Sequence, residues 1–322
     1  MKRSALLLML MLGVLTTRAQ YVPAVQQPYN ETLHWGSAFQ HLDVYGSIST
    51  LGIGIGVATP LGEDFRLRAG INYMPPLMKK HLHGQVYVGD DNSHFSDVQD
   101  MMYFEKGYVM QNNVAMTGKW EMFNGKVLVD YFPLDDDKKF RITAGFYYGP
   151  SRIAKITTDA GSAATLACIG TYNKMFMDAP DDDPILQWGL AGLYMGTYKN
   201  DEVDEKGQIL HRAGDPYLMM PDDNGQLSID VKTNSLKPYL GVGYELPFKS
   251  LGLQKKKDTW KFAVDAGVLF WGGSPSVEVS TDGVDLVKDI DKIPGKKGDY
   301  IKKIKKFVVY PTIGISVIYH IF

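Results

Sequence analysis

The segment 307–322, FVVYPTIGISVIYHIF, constrains the fold more than any other. Read alternately, Phe307, Val309, Pro311, Ile313, Ile315, Val317 and Tyr319 form one set, and Tyr310, Thr312, Gly314, Ser316, Ile318 and His320 form the other. The first set is large and apolar; the second is mostly small or polar. Side chains of a strand point alternately to opposite faces, so the segment is a two-faced strand. FRLRAGINYM repeats the design, with Phe65, Leu67, Ala69, Ile71 and Tyr73 opposite Arg66, Arg68, Gly70 and Asn72. FRITAGFYYG sets Phe140, Ile142, Ala144, Phe146 and Tyr148 against Arg141, Thr143, Gly145 and Tyr147. In WKFAVDAGVLFW the apolar set opposes Lys261, Asp265 and Gly267; LGIGIGV, KVLVDYF and YLGVGYEL follow the same rule.

Two architectures carry such strands. A soluble sandwich buries the apolar face; a membrane barrel turns it to lipid and keeps the polar face for the interior. The polar face here is rich in glycine, as a narrow interior requires. Aromatics gather near strand ends (Tyr73, Tyr131, Phe132, Tyr148, Tyr244, Phe248, Trp260, Phe270, Trp271), where an interfacial girdle needs them. The connections are also unequal. PLGED and PLDDDKK carry turn chemistry and LPFKSLGLQKKKD is somewhat longer, whereas the stretches 81–112, 158–222 and 279–305 are long. Short turns on one side and long loops on the other are the outer-membrane arrangement, with the short turns periplasmic. The expected fold is all-β: an eight-stranded antiparallel transmembrane barrel with long extracellular loops and strands near 39–48, 49–59, 64–80, 114–132, 139–157, 224–247, 259–278 and 306–322. A ten-stranded alternative takes two strands from ILQWGLAGLYMGTY, which also reads as a helix or a folded loop.

The beginning of the chain agrees with that destination. Lys2 and Arg3 precede an apolar run, and Thr17, Arg18 and Ala19 form a small-x-small site. The expectation is a signal peptide over 1–19, a periplasmic segment over 20–38 and the barrel over 39–322. No later run approaches the roughly 18 apolar residues of a membrane helix. The single cysteine, Cys168, makes no internal disulfide. A formal charge of −2 argues against nucleic acid as a partner.

The blocks TLGIGIGVATPLGEDFRLRAGINY, VLVDYFPLDDDKKFRITAGFYYG and LKPYLGVGYELPF, together with the ending, resemble small bacterial outer-membrane β-barrel proteins of the OmpA/OmpX/OmpW type, in a largely uncharacterised branch. The resemblance covers most of the chain outside 158–222. It implies an eight-stranded barrel in a Gram-negative outer membrane, and it implies little about activity.

Eight charges are expected inside the barrel: Arg66, Arg68, Lys126, Asp130, Arg141, Glu245, Lys261 and Asp265. All lie near short turns. A hairpin centred between Asp135 and Asp136 makes Asp130 and Arg141 direct cross-strand partners. They form either a structural plug, since eight strands enclose little more than their own side chains, or the polar lining of a solute path. His81 and His83 share a strand face with His94 not far along the loop; two imidazoles so spaced can share a metal, but an ordinary site wants about three or four ligands, and solvated loop residues are the expectation, with no metal and no cofactor. The acid runs at Asp181–Asp183 and Asp222–Asp223 lack calcium-loop spacing. His94, Ser96 and Asp97 are the nearest thing to a catalytic set, for a lipid-A-modifying enzyme, but no nucleophile motif stands out. The non-enzymatic reading is a structural, envelope-interaction or limited-permeation role, with outer-membrane lipid, lipopolysaccharide and the outer-membrane assembly machinery as partners. In the last long loop Leu286, Ile290 and Ile293 recur at helical spacing before Pro294-Gly295. They predict a short amphipathic helix, followed by a basic stretch whose Lys296, Lys297, Lys302, Lys303, Lys305 and Lys306 are candidate contacts for lipopolysaccharide phosphates.

Overall fold

The computed structural model describes residues 41–75, 81–89, 92–134, 138–180, 183–187, 189–222, 224–248, 250 and 259–321. All of them lie within Gly36–Phe322, one of two units into which the chain divides, the other being Met1–Trp35. The expected signal and periplasmic segments therefore lie outside the described residues.

β1 (Asp43–Ser49), β2 (Gly52–Pro60) and β3 (Phe65–Tyr73) lead into a first excursion with β4 (His81–Tyr87), α1 (Phe95–Lys106) and β5 (Asn113–Trp120). β6 (Phe123–Tyr131) and β7 (Phe140–Tyr148) precede a second, with β8 (Arg152–Thr158), α2 (Ala163–Asp178), β9 (Gly196–Tyr198), β10 (Glu202–Val203), β11 (Ile209–His211), β12 (Pro216–Tyr217) and β13 (Ser228–Lys232). β14 (Leu236–Pro247) and β15 (Trp260–Phe270) precede a third, with β16 (Ser276–Val279), β17 (Ile290–Asp291) and α3 (Gly295–Lys306); β18 (Val309–His320) completes the set. No described helix is long and apolar enough to cross a membrane.

Eight of these strands close a barrel in the order β1-β18-β15-β14-β7-β6-β3-β2. Every pair is antiparallel, and the seam between first and last strands runs from Asp43 opposite His320 to Ser49 opposite Gly314. His320 Nδ1 and Asp43 Oδ1 are 2.8 Å apart across that seam. The alternation places its apolar set outside: Ile55, Ile71, Val127, Phe146, Leu240, Val264, Ile313 and Ile315 are exposed, while Asp130, Arg141, Thr143 and Ser316 are buried inside. The ten-stranded alternative is set aside, because ILQWGLAGLYMGTY lies in the second excursion and supplies the short β9 to a separate three-stranded sheet.

The stretches 114–132, 139–157, 224–247 and 259–278, each expected as one strand, are two strands apiece, and β4 lies in the stretch 81–112, expected as a loop. β4, β5, β8, β13 and β16 form a second, five-stranded sheet in the order β16-β13-β8-β5-β4. In sequence these adjoin β15, β14, β7, β6 and β3, which are neighbours in the barrel in that same order. The second sheet therefore continues five of the eight barrel strands past their ends. β18, β1 and β2 have no such continuation. The β1–β2 hairpin turns through Thr50 and Leu51 alone, as Ser49 pairs with Gly52. Gly52 has φ +102, and a Cβ there would stand 2.8 Å from the Met74 Cα, so backbone conformation and space both require glycine.

Three expectations are corrected here. Leu51, read as outward, is buried, because it sits in the hairpin loop and folds over the barrel end. Phe132 and Trp271, read as girdle residues, are buried as well; each lies just past its strand, where alternation no longer sets direction. The helix expected over 286–293 is absent. Asp285 Oδ1 accepts hydrogen bonds from the backbone N–H groups of Val277, Val287 and Lys288, holding the chain in turns, and Leu286 and Ile290 reach the core without helix. The helix is α3, formed by the basic stretch itself.

Candidate functional site

The inward charges meet in one layer near the short turns. Asp130 accepts hydrogen bonds from Arg66 Nε at 3.0 Å and Nη2 at 2.8 Å, from Arg68 Nη2 at 2.8 Å and from Thr143 Oγ1 at 2.7 Å. Glu245 receives the guanidiniums of both Arg66 and Arg141. Asp265 accepts from Arg141 Nη2 at 2.7 Å and lies 3.6 Å from Arg68 Nη2. Lys261 Nζ stands 3.9 Å from Glu245 at the edge of the layer. Lys126 lies apart, its ammonium 5.1 Å from the centre of the Tyr45 ring, a cation–π contact. Arg66 also stacks over Phe132 at 5.1 Å.

The expected Asp130–Arg141 cross-strand pair is not formed. Asp130 lies opposite Thr143 on one side and Arg66 on the other, and Arg141 lies opposite Gly243. Arg141 Nε reaches Asp130 only at 3.7 Å, on the diagonal. The hairpin is centred one residue later than the placement between Asp135 and Asp136, which moves the partner of Asp130 by two residues, from Arg141 to Thr143, and each carboxylate is shared by two or three arginines.

Next along the interior come tyrosines on glycines. Tyr45 lies against Gly56 and Gly70, and Tyr239 against Gly241 and Gly267. The Tyr147 and Tyr239 rings meet edge to face at 5.4 Å. The space among these groups is a cavity of about 40 Å³ bordered by Ser47, Arg68, Asn72 and Lys126. At about 10–15 Å³ per water, that holds roughly three. Beyond the tyrosines an apolar layer of Leu51, Met74, Met122, Leu269 and Trp271 closes the end of the barrel.

On the far side of that layer the excursions border a cavity of about 890 Å³ that is open to solvent on one side. Val114 and Met116 of β5, Ile229 and Val231 of β13 and Val277 of β16 supply one wall, all from one face of the five-stranded sheet. Leu166 and Ile169 of α2 and Ile301 and Ile304 of α3 line it as well. Ile153 and Val231 belong both to the barrel's apolar layer and to this chamber, so one is the floor of the other. The sequence reading missed the chamber. Its signal was the inward stripe of β6 and β5, which runs Asp130, Leu128, Lys126, Asn124, Met122, Trp120, Gly118, Met116, Val114 and turns apolar as it leaves the barrel.

The loop candidates do not assemble. His83 Nδ1 is 3.1 Å from Thr117 Oγ1. His94 and Asp97 are 3.7 Å apart, both exposed, at the start of α1. Among the described residues no group of three His, Cys, Asp or Glu side chains is placed to hold a metal. Asp183 and Asp222 accept backbone N–H hydrogen bonds from Ile185 and from Asn224 and Gln226, as turn-forming acids do. In the second excursion Tyr172, Tyr198 and Tyr217 are buried. Burial pushes the Tyr172 and Tyr198 phenols up to about 12, and Tyr217 is raised by burial and by its hydrogen bond to Asp282.

Neither protein-family models nor curated proteins match this chain. Among solved structures, Acinetobacter baumannii CarO2 aligns at 13% identity and a TM-score of 0.39, over 87% of this chain and 98% of that one. Acinetobacter baumannii CarO aligns at 12% and 0.36, over 86% and 96%. The CymD monoaromatic hydrocarbon channel aligns at 8% and 0.22, over 87% of each. Likeness at these scores carries no argument; the barrel stands on its own strand register.

Proposed function

We propose that this chain is a non-enzymatic outer-membrane protein whose barrel crosses the bilayer without forming an open channel, and which works at the envelope surface through its excursions. In this reading the short turns, the start of β1 and the end of β18 lie on the periplasmic side, and the excursions lie outside. The exposed belt of Ile, Val, Leu and Phe around a closed barrel supports the membrane placement, since a contiguous apolar surface of that extent is not left in water. The observation that carries the closed-lumen reading is the stack inside: an interlocked ion layer whose Arg66, Asp130, Arg141 and Glu245 are all buried, then tyrosines, then a layer containing Leu51 and Trp271. An eight-stranded barrel has no spare width around such a filling. Lys302, Lys305 and Lys306 are exposed on α3, which supports contact with lipopolysaccharide phosphates; the assembly machinery is the other expected partner. The lipid-A-modifying alternative gains nothing from His94 and Asp97, which are exposed and fixed by no further group. Planar-bilayer recording tests the proposal. The purified protein should give little or no steady conductance, and large porin-like currents would reject it.

A further inference from the structure

We infer that the chamber outside the barrel is a binding site for a single-chain fatty carboxylate, its tail between the five-stranded sheet and the helices and its head at a rim of lysines. Protein interiors hold few voids larger than a water, whereas this cavity measures about 890 Å³. That lies near the top of the roughly 300–1,000 Å³ range of pockets that enclose a small ligand. Its walls are apolar, aliphatic side chains with Trp120, Phe307 and several tyrosines among them, and they include Met116, Met195 and Met219; thioether side chains adapt to a flexible chain better than branched ones. A lipid with many acyl chains, such as lipid A, exceeds such a volume.

The head group follows from charge. Lys119, Lys296, Lys297 and Lys303 line the cavity, and no described lining residue is an aspartate or glutamate. In a chain of net charge −2 that is a pronounced local excess of cation. Lys119, Lys296 and Lys303 are exposed while the aliphatic walls are covered, so the charge sits at the rim. α3 adds an independent sign. It opens with Lys296 and Lys297, carries no acid in its first turn, and has no side-chain hydrogen bond capping its start. Cations at a helix N-terminus oppose the helix dipole, and an anion there is favoured by both. An apolar chamber with a cationic rim excludes sugars and nucleotides by its walls and cationic amphiphiles by its rim.

The test uses the full barrel in lipid nanodiscs, free of detergent, with a fluorescent fatty acid as probe and empty nanodiscs as control. Palmitate should displace the probe, while methyl palmitate and the cationic hexadecyltrimethylammonium should compete about tenfold less well or worse, as expected for loss of charge-assisted hydrogen bonds. Lys296→Glu with Lys303→Glu, both at exposed positions, should weaken palmitate by a similar factor without altering heat-modifiable migration. Met116→Trp should block the chamber and abolish saturable binding. The inference is overturned by no binding above the nanodisc control, by equal competition from the cationic amphiphile, by lysine variants that bind as the parent does, or by lysine-dependent displacement by lipid A but not palmitate. Conductance is measured separately, so a conducting barrel would reject the closed lumen and leave this inference standing or falling on binding alone.

Discussion

Replacing Asp130 by alanine should destabilise the barrel more than any other single change in its charge layer. Three guanidiniums (Arg66, Arg68, Arg141) face three carboxylates (Asp130, Glu245, Asp265). Asp130 is fully buried and lies within 4 Å of all three arginines. Its loss leaves three cations against two anions. Breaking a buried pair costs on the order of 3–5 kcal/mol. Arg66 and Arg141 keep Glu245, which places the loss near the lower end, about 3 kcal/mol, or roughly two decades in the folding equilibrium. Arg68 is the group left stranded, since its other acidic neighbour, Asp265, is 3.6 Å away. Asp130→Ala with Arg68→Ala should therefore lose less than the two single changes together, by about 1 kcal/mol or more. Exchanging the charges, Asp130→Arg with Arg141→Asp, should not rescue, because an arginine at 130 would face Arg66 and Arg68. Urea unfolding in lipid vesicles, followed by tryptophan fluorescence and by heat-modifiable migration, measures each term. An Asp130→Ala variant within about 0.5 kcal/mol of the parent, strict additivity, or rescue by the exchanged pair would refute the reasoning.

Three further outcomes are expected. Ile315 faces outward and Ser316 is buried inside, and arginine facing lipid at mid-depth costs about 2–4 kcal/mol; Ile315→Arg should fail to fold into vesicles at a urea concentration the parent tolerates, and a fully tolerated Ile315→Arg would show the faces reversed. Gly267→Ala would place a Cβ 2.6 Å from Tyr239 Cζ and 2.7 Å from the Leu240 carbonyl oxygen; overpacking of this kind costs about 1–3 kcal/mol, part of which Tyr239→Ala should return, and a melting temperature equal to the parent's would count against the tyrosine-on-glycine packing. The buried Tyr172 and Tyr198 phenols ionise near 12 in the fold and near ~10 in an unfolded chain, so their stabilisation is whole below pH ~10 and is lost as pH rises through about 12. Protease susceptibility of the second excursion should rise over that interval, and ionisation of all tyrosines together near pH ~10 in the folded protein would contradict it.

The barrel was legible because each strand states its two faces locally. Ile313 and Ile315 against Thr312 and Ser316 need no distant information. The inequality of turns and excursions was legible for the same reason, since PLGED and PLDDDKK carry their own turn chemistry. The layer's pairing was not. Register depends on where a hairpin turns, and a displacement of two residues leaves every face unchanged while replacing the partner of Asp130. Nor was the second sheet visible. Inward positions keep one phase from Asp130 to Val114, so β5 and β6 read as one long strand. Helical spacing misled at Leu286 and Ile290, because the Asp285 carboxylate holds the backbone in turns that deliver the same residues to the core.

The chamber's place follows from the unequal ends of the barrel strands. Five neighbouring strands continue as a second sheet; the three between β15 and β3 do not. Gly52 keeps the β1–β2 hairpin against the end of β3, so that side cannot rise without displacing Tyr73 and Met74. A sheet that continues on one side only presents its inner apolar face to whatever stands opposite, and a barrel closed on itself offers nothing to cover it. The excursions must supply the cover. α3 does so with Ile301 and Ile304 toward the cavity and Lys296 over the Tyr87 ring of β4 at 5.0 Å. An amphipathic helix in that position carries its apolar stripe inward and its lysines at the border between wall and water. The cationic rim and the apolar chamber are thus two faces of one structural solution: a helix recruited to cover a sheet face also sets the charge at the chamber's edge.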